Sequence, residues 1–174
     1  MQNGEKMKRV ILDTNIFGKI IREGDADFVT SCLEKSNVVV YGCDVIRKEM
    51  RKMSKGKLEY IKGEAKKLRP IILGLYALVV KSHEIIATKE IVELAEAYFV
   101  SYRTAGGSVS KEKIMTDLII VAAATNRELD VVYSDDNNTM LSEEAKTAYR
   151  VVNSIEGKKL PNFRSYGDFK NDIS

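Results

Sequence analysis

Apolar residues along the chain alternate between short β-branched runs and longer segments with helical spacing. The short runs suit strands that are buried on both faces of a parallel sheet. We predict four such strands, at Arg9–Leu12, Asn37–Tyr41, Asp130–Ser134 and Arg150–Val152. Strands that alternate with helices predict an α/β fold, a three-layer α/β/α sandwich around a central parallel sheet of four to five strands.

Helices are predicted in the intervals between the strands. A charged helix is expected over residues 58–69, and a helix from about Ser110 to Arg127 contains the small residues Ala122 to Ala124. Small side chains there allow the helix backbone to pack closely against a sheet. After Gly157 we expect an irregular tail, held on the body by three aromatic residues, Phe163, Tyr166 and Phe169.

The length of 174 residues predicts one domain, with a core over about 9–155 and a C-terminal tail, 156–174, packed on it. The start of the chain is polar and is followed by only four apolar residues, too few for a signal peptide. The longest apolar stretch is about half of a membrane span. Two cysteines without a CxxC pattern indicate neither a zinc knuckle nor a disulfide framework and favour a reducing, cytoplasmic setting.

Carboxylates follow the predicted strands at the places where parallel sheets bind ligands. Asp13 directly follows the first strand, and Asp135 and Asp136 directly follow the third. Glu49 lies in the helix after the second strand, and Asp117 lies in the early turns of the helix before the third. Carboxylates that share a cleft raise one another's pKa unless a cation lies between them, and a hard divalent cation is the usual solution.

Each acid also has a purely structural interpretation. Asp13 could cap the following helix, and Glu49 could be a surface acid paired with nearby basic residues. Asp117 could be favoured by a helix dipole, and Asp135 and Asp136 could form a turn. Because four such explanations would have to hold together, we favour a shared metal site.

The motifs resemble those of the PIN-domain family of metal-dependent nucleases, and the resemblance runs from Arg9 to about Phe169. It rests on Val10-Ile-Leu-Asp-Thr-Asn15, Glu49, Asp117-Leu-Ile-Ile-Val-Ala-Ala123 and Val131-Val-Tyr-Ser-Asp-Asp136. The resemblance implies a parallel sheet flanked by helices and hydrolysis of single-stranded RNA with Mg²⁺ or Mn²⁺. It also implies four catalytic, metal-binding acids: Asp13, Glu49, Asp117 and Asp136. Asp135 remains an alternative for the fourth acid.

The substrate-binding residues are predicted from the same resemblance and from charge. Asn15 and Ser134 are expected to bind metal-bound waters or the scissile phosphate; stabilisation of the strand–helix turn is the alternative role of Asn15. Residues 47–69 carry ten basic and three acidic side chains, a net charge of +7, against −4 for the remainder. This basic stretch is expected to line the path of the RNA through Arg47, Arg51, Lys52, Lys55 and Lys62, with Tyr60 as a candidate for stacking on a base. A solvated helical face is the alternative.

The predicted function is a metal-dependent endoribonuclease. Toxin–antitoxin ribonucleases are the best-populated subgroup of the family, which implies an antitoxin partner; RNA processing is the other role left open. Dimerisation is common in the family, and the apolar run Ile71–Val80 could serve a homodimer or the core equally well. The alternatives are a catalytically inactive RNA-binding or scaffold module and a haloacid-dehalogenase-type phosphohydrolase. The latter class needs an aspartate where this chain has Asn15.

Overall fold

A five-stranded parallel sheet forms the centre of the molecule in the computed structural model, which describes residues 6–174. The polar start of the chain, residues 1–5, lies outside the described residues. In chain order the elements are β1 (Lys8–Leu12), α1 (Thr14–Glu23), α2 (Ala26–Leu33), β2 (Val38–Cys43), α3 (Asp44–Lys52), β3 (Leu58–Ile61), β4 (Glu64–Lys67), α4 (Leu68–Val80), β5 (Glu84–Ile85), α5 (Lys89–Thr104), α6 (Lys111–Asn126), β6 (Val131–Tyr133), α7 (Glu143–Glu156), β7 (Asn162–Arg164) and α8 (Tyr166–Ile173).

The strands lie in the spatial order β5, β2, β1, β6, β7, and all neighbours are parallel. β1 is central, and its residues Val10, Ile11 and Leu12 are completely buried, as expected for a strand covered on both faces. The chain proceeds from β1 to β2 on one side and later returns to β6 on the other. The strand order therefore reverses at β1, and ligands of such sheets bind beside that reversal at the carboxyl ends of the strands.

Helices cover both faces of this sheet. α1, α2 and α4 contact one another, α5 packs against α6 and α7, and α6 lies against β1 and β6. Ala122, Ala123 and Ala124 of α6 are completely buried, in agreement with the predicted close packing. The predicted three-layer α/β/α fold is thus confirmed.

The last predicted strand and the irregular tail are wrong. Residues 150–152 belong to α7, which is capped by the Ser142 side chain at its start and by Gly157 with a φ of 64° at its end. The buried residues of this helix recur at helical spacing: Ala145, Ala148, Tyr149 and Val152. The fifth strand is β7, and α8 follows it with a capping box formed by Ser165 and Asp168. Tyr166 and Phe169 are buried against the body as predicted.

The charged helix predicted over residues 58–69 is also wrong, because β3 and β4 form an antiparallel hairpin there. Its two-residue turn, Lys62–Gly63, has φ angles of 51° and 81°. Positive φ at both central positions is the geometry of a type I′ turn, whose twist matches that of a hairpin. α4 begins directly after β4, at Leu68.

The apolar run Ile71–Val80 lies in α4. Ile72, Leu75, Val79 and Val80 are buried in the core, whereas Leu78 is 66% exposed. Core burial accounts for most of the run, and its use in a dimer stays a prediction. Among residues 6–174, no helix combines the length and the apolar character needed to cross a bilayer.

Candidate active site

The ends of β1 and β6 bring the first group of predicted residues together. The backbone N–H of Asp13 donates to the carbonyl of Tyr133 at 3.0 Å, so the residues that follow the two strands start side by side. Ser134, Asp135 and Asp136 therefore lie next to Asp13. The first residues of α1 also border this group, because Asp13 is the N-cap of that helix.

Asp13 is only 4% exposed, and both of its carboxylate oxygens are hydrogen-bonded. Oδ1 accepts from the backbone N–H of Thr14 at 2.7 Å. Oδ2 accepts from the Asn15 amide at 2.8 Å and from the Ser134 hydroxyl at 2.8 Å. Burial raises the pKa of Asp13 to about 6; the hydrogen bonds from Ser134 and Thr14 oppose the rise, and the charges of Glu49 and Asp136 add to it. The helix-capping interpretation of Asp13 is thus correct.

Asp117 approaches the same place from α6. Burial raises the pKa of Asp117 to about 8, with further contributions from the negative charges of Asp13, Asp136 and Glu49. Hydrogen bonds through Thr14, Ser134 and Thr139 connect the four acids, which come from four separate segments of the chain. None of them is adjacent to another in sequence.

Thr139 joins Asp117 to Asp136. Its hydroxyl is hydrogen-bonded to Asp117 and lies 2.6 Å from Oδ2 of Asp136, whose other oxygen accepts from the backbone N–H groups of Asn138 and Thr139. A hydroxyl has one proton, so Thr139 can donate to only one of the two carboxylates at a time. The site therefore holds more acceptors than donors.

Glu49 lies on the exposed side of α3 and accepts a hydrogen bond from the Thr14 hydroxyl. Thr14 thereby connects Glu49 to the start of α1, next to Asp13. The surface-acid interpretation of Glu49 fails in one respect, since no basic side chain of residues 6–174 forms an ion pair with it.

The same absence of ion pairs extends over the described chain to Asp13, Asp117 and Asp136, although lysine and arginine pair with many other acids. Four carboxylates without a cationic partner offer the oxygen ligands that a hard divalent ion prefers. In geometry, no three acidic, histidine or cysteine side chains of residues 6–174 are arranged to coordinate an ion as they stand. Coordination therefore requires side chains to move, and Glu49, which is exposed, is the least constrained of the four.

Asp135 has a different environment from Asp136. Its carboxylate forms an ion pair with Lys19 at 2.7 Å and accepts from the backbone N–H of Tyr166 at 3.2 Å, at the start of α8. Its backbone N–H bonds to Asn15 at 3.3 Å. The structure thus brings Asp136 to Asp117 and holds Asp135 between α1 and α8.

The predicted substrate-binding residues fall into two groups. Asn15 and Ser134 lie in the site, where both donate to the Asp13 carboxylate. The Asn15 amide also donates to the Ser134 hydroxyl at 3.2 Å. The basic residues lie at the end of α3, in the segment after it and in the hairpin. Arg51, Lys52 and Lys55 are exposed, and Lys62 lies in the hairpin turn. Arg47 instead forms an ion pair with Glu84, which fixes α3 to β5.

Four residues of the site were not predicted: Thr14, Thr139, Lys19 and Arg22. Lys19 and Arg22 border a cavity of about 420 Å³ that is also lined by Asn15, Asp135, Asp136 and Asn138. Asn15, Lys19 and Arg22 are spaced four and three residues apart, so they share one face of α1, and that spacing is visible in the sequence. The roles of Thr14 and Thr139 depend on loop geometry that no spacing reveals.

Comparison with solved structures identifies the fold. This chain is similar to VapBC2 from Rickettsia felis bound to a DNA fragment from its promoter. The match covers 90% of this chain and 98% of the other, with a TM-score of 0.54 and 11% identity. FitAB bound to an IR36 DNA fragment is similar over 90% and 94%, with a TM-score of 0.51 and 11% identity. These are toxin–antitoxin complexes that contain PIN-domain toxins. The chain has a PIN-type fold.

A third similar structure is FitAcB from Neisseria gonorrhoeae, which matches over 79% of this chain and 94% of the other with a TM-score of 0.50 and 14% identity. No protein-family model and no curated protein matches the sequence. The predicted PIN resemblance is therefore confirmed at the level of the fold. The four carboxylates lie at the carboxyl edge of the PIN-type sheet, beside the reversal of strand order.

Proposed function

We propose that the chain is a divalent-metal-dependent endoribonuclease that hydrolyses single-stranded RNA. The observation that carries the proposal is a group of four carboxylates, one after β1, one in α3, one in α6 and one after β6. Hydrogen bonds through Thr14, Ser134 and Thr139 connect them, and they have no basic partner in the described chain. Their position on a PIN-type sheet supports the assignment. Asp136 is the fourth acid in this proposal, because Asp135 is already paired with Lys19.

The side chains present have distinct roles in such a reaction. Asp13, Glu49, Asp117 and Asp136 would hold Mg²⁺ or Mn²⁺, which supplies an activated water and offsets negative charge on the attacked phosphodiester. Ser134 and Asn15 fix the Asp13 carboxylate, and Thr139 keeps Asp117 and Asp136 close. Lys19 and Arg22 border the adjoining cavity, where they can bind phosphates that flank the cleaved bond.

We further infer that the protein is the toxin of a toxin–antitoxin pair. Support comes from VapBC2 and FitAB, both of which are complexes and both of which are bound to DNA in their structures. An antitoxin is accordingly the proposed protein partner. An RNA-processing nuclease is the other role compatible with the same site.

A cleavage assay tests the proposed function. With end-labelled single-stranded RNA and Mn²⁺ we expect internal cleavage that EDTA abolishes and excess Mn²⁺ restores, because the carboxylates cannot support the reaction without a cation. Gel electrophoresis of the products distinguishes internal cleavage from trimming at an end. RNA that is bound but never cut, at any Mg²⁺ or Mn²⁺ concentration, would instead support the inactive RNA-binding or scaffold module.

The raised pKa values predict an unusual dependence of stability on pH. In the unfolded chain Asp13 and Asp117 lose their protons near their ordinary pKa of 3.8, whereas in the folded chain they keep them up to about 6 and about 8. The folded state therefore binds more protons between pH 4 and 8, and the stability contributed by these groups is lost as pH rises through that range. Without metal, we expect the midpoint temperature of thermal unfolding to decrease as the pH is raised from 5 to 8.

Manganese should reverse this loss, since a ligand that binds only the folded state at about 100 times its Kd stabilises it by about 2.7 kcal/mol. Differential scanning fluorimetry at several pH values, with EDTA or Mn²⁺, measures both effects. The control is the Asp13→Asn/Asp117→Asn double variant, whose midpoint should change much less over the same range. An equal pH dependence in that variant would assign the effect to other groups.

A further inference from the structure

The β3–β4 hairpin has two different faces. Paired residues of an antiparallel ladder share a face, so Leu58 and Tyr60 lie on the same side as their partners Lys67 and Ala65. On the opposite side, Ile61 packs against the hydrophobic core. The hairpin is thus fixed to the body by its inner face and presents its outer face to solvent.

The outer face is apolar at its centre. Tyr60 is 73% exposed and Leu58 is 56% exposed. Ala65, the small residue opposite Tyr60, leaves the flank of the tyrosine ring uncovered. Within residues 6–174 the Tyr60 side chain makes no hydrogen bond and no contact with another ring. The exposed ring of Tyr60 is therefore open to a ligand.

Basic residues flank these two apolar residues in the sequence, and Lys67, the partner of Leu58, lies on the same face of the hairpin. From Arg51 to Arg69 there are eight basic and two acidic residues, a net charge of +6. Only Lys62 and Lys66 of the eight form ion pairs with other described residues, to Asp27 and Glu64. The remaining six are available to an anionic ligand: Arg51, Lys52, Lys55, Lys57, Lys67 and Arg69.

Helix α1 connects the hairpin to the candidate active site. β3 contacts α1, and a Cβ placed on Gly24, just past the end of that helix, would lie 3.7 Å from Cε of Lys62. At its other end α1 begins next to Asp13, and Lys19 and Arg22 lie on the helix between the two points. Arg22, which forms no ion pair within residues 6–174, is therefore available to a phosphate between the site and the hairpin.

We propose that the outer face of the β3–β4 hairpin is a stacking platform for single-stranded RNA, with a base on the Tyr60 ring beside Leu58 and the surrounding lysines on the phosphates. An exposed aromatic ring among cations is how proteins bind single strands with little sequence preference, since every base has a face that can stack. The proposal rests on RNA being the substrate of the proposed nuclease. A protein partner is disfavoured because the cores of protein interfaces are depleted in lysine.

Fluorescence anisotropy with a labelled oligouridylate tests this platform, using the full-length protein in EDTA so that binding is measured without cleavage. Tyr60→Ala should weaken binding by about tenfold or more, the usual effect of losing one stacked base. Tyr60→Phe keeps the ring and should bind within about twofold of the original. Tyr60→Leu keeps apolar area without the ring and should resemble Tyr60→Ala.

Two controls separate stacking from charge and from folding. Lys67→Gln should lower the slope of log affinity against log salt by about 0.7, the value for one phosphate contact to a single strand, whereas Tyr60→Ala should leave the slope unchanged. Val100→Ala removes part of an exposed apolar residue on α5, away from the hairpin, and should bind as the original does. Thermal midpoints within about two degrees would show that all variants are folded.

Unchanged affinity of Tyr60→Ala would overturn the platform. If that variant binds normally while the original protein cleaves RNA with Mn²⁺, the platform fails and the nuclease assignment stands. If Tyr60→Ala loses binding while the original protein cleaves nothing, the platform stands and the nuclease assignment fails. Equal loss by Tyr60→Ala and Tyr60→Phe would also contradict stacking, since the phenylalanine ring can stack as well.

Discussion

Replacing Asp117 by asparagine should lower RNA cleavage more than about a hundredfold and, in the absence of metal, should leave the protein at least as stable at pH 8. The activity loss is expected because even the partners that orient metal ligands contribute 10- to 100-fold, so a ligand itself contributes more. The asparagine is nearly isosteric, and its carbonyl oxygen can still accept from the Thr139 hydroxyl. What it removes is one of four carboxylates that repel one another.

The stability measurement distinguishes a functional acid from a structural one. Asp117 is partly buried and has a pKa raised to about 8, so its charged form destabilises the metal-free fold. A structural carboxylate, paired or hydrogen-bonded in its charged form, would have a lowered pKa and would cost stability when it is replaced. Single-turnover cleavage rates with Mn²⁺ and thermal midpoints in EDTA give the two quantities needed.

Asp135→Asn is the matched control for this experiment. It changes the same atoms in an acid close to the same site, but it breaks an ion pair with Lys19 that is partly exposed. Such pairs contribute about 0–1 kcal/mol, and we expect cleavage within a few fold of the original. If Asp135→Asn lost activity as severely as Asp117→Asn, the choice of Asp136 as the fourth acid would be wrong.

Asp13 and Asp136 were expected at the carboxyl edge of the sheet because they follow strands that are themselves clear in the sequence. The side chains of Val10 to Leu12 and of Val131 to Tyr133 are buried, and the parallel-sheet rule brings the ends of such strands together. The bounds of α6 were also predictable, since its caps, Ser110 and Arg127, were the predicted limits of the helix. Where local patterns and tertiary packing agree, reading the sequence is sufficient.

The hairpin and the last strand were not predictable from local patterns. Residues 58–69 carry charges at spacings that also suit a helix, and the hairpin depends on a positive φ at Lys62, a residue that rarely adopts one. β7 has three residues and no buried side chain, so its sequence carries almost no periodic signal. Arg150 to Val152 has the composition of a strand, but the helical spacing of the buried residues around it decides the outcome.

These errors matter for function in different ways. The misassigned strand leaves the site unchanged, because β7 adds to the edge of the sheet beyond β6. The hairpin changes the interpretation of the basic stretch. On a helix its charges would have been spread around a solvated surface, whereas the hairpin sorts Leu58, Tyr60 and Lys67 onto one exposed face. The platform proposal therefore depends on a feature that only the structure reveals.

The second large effect is expected from Phe169→Ala, which should lower the free energy of unfolding by about 3–5 kcal/mol. Phe169 is completely buried in α8, and its ring packs edge-on against Tyr133 at 5.1 Å between centroids. Tyr133 ends β6, directly before Ser134 of the site. Truncation at residue 169 should therefore leave a cavity between the tail and the sheet, which chemical denaturation with urea would measure.

Phe28→Ala provides the comparison, since that phenylalanine is 42% exposed and should lose clearly less stability on truncation. α8 would retain its polar attachments in the Phe169→Ala variant: Asp172 still binds Lys8 at 2.6 Å and Arg164 at 2.6 Å. Cleavage measured well below the new midpoint should consequently remain within a few fold, because none of the four acids depends on the ring. Equal losses of stability for the two variants would mean that the tail does not pack on the sheet as described, and the residues from β7 onward would then have to be treated as an appendage of the fold.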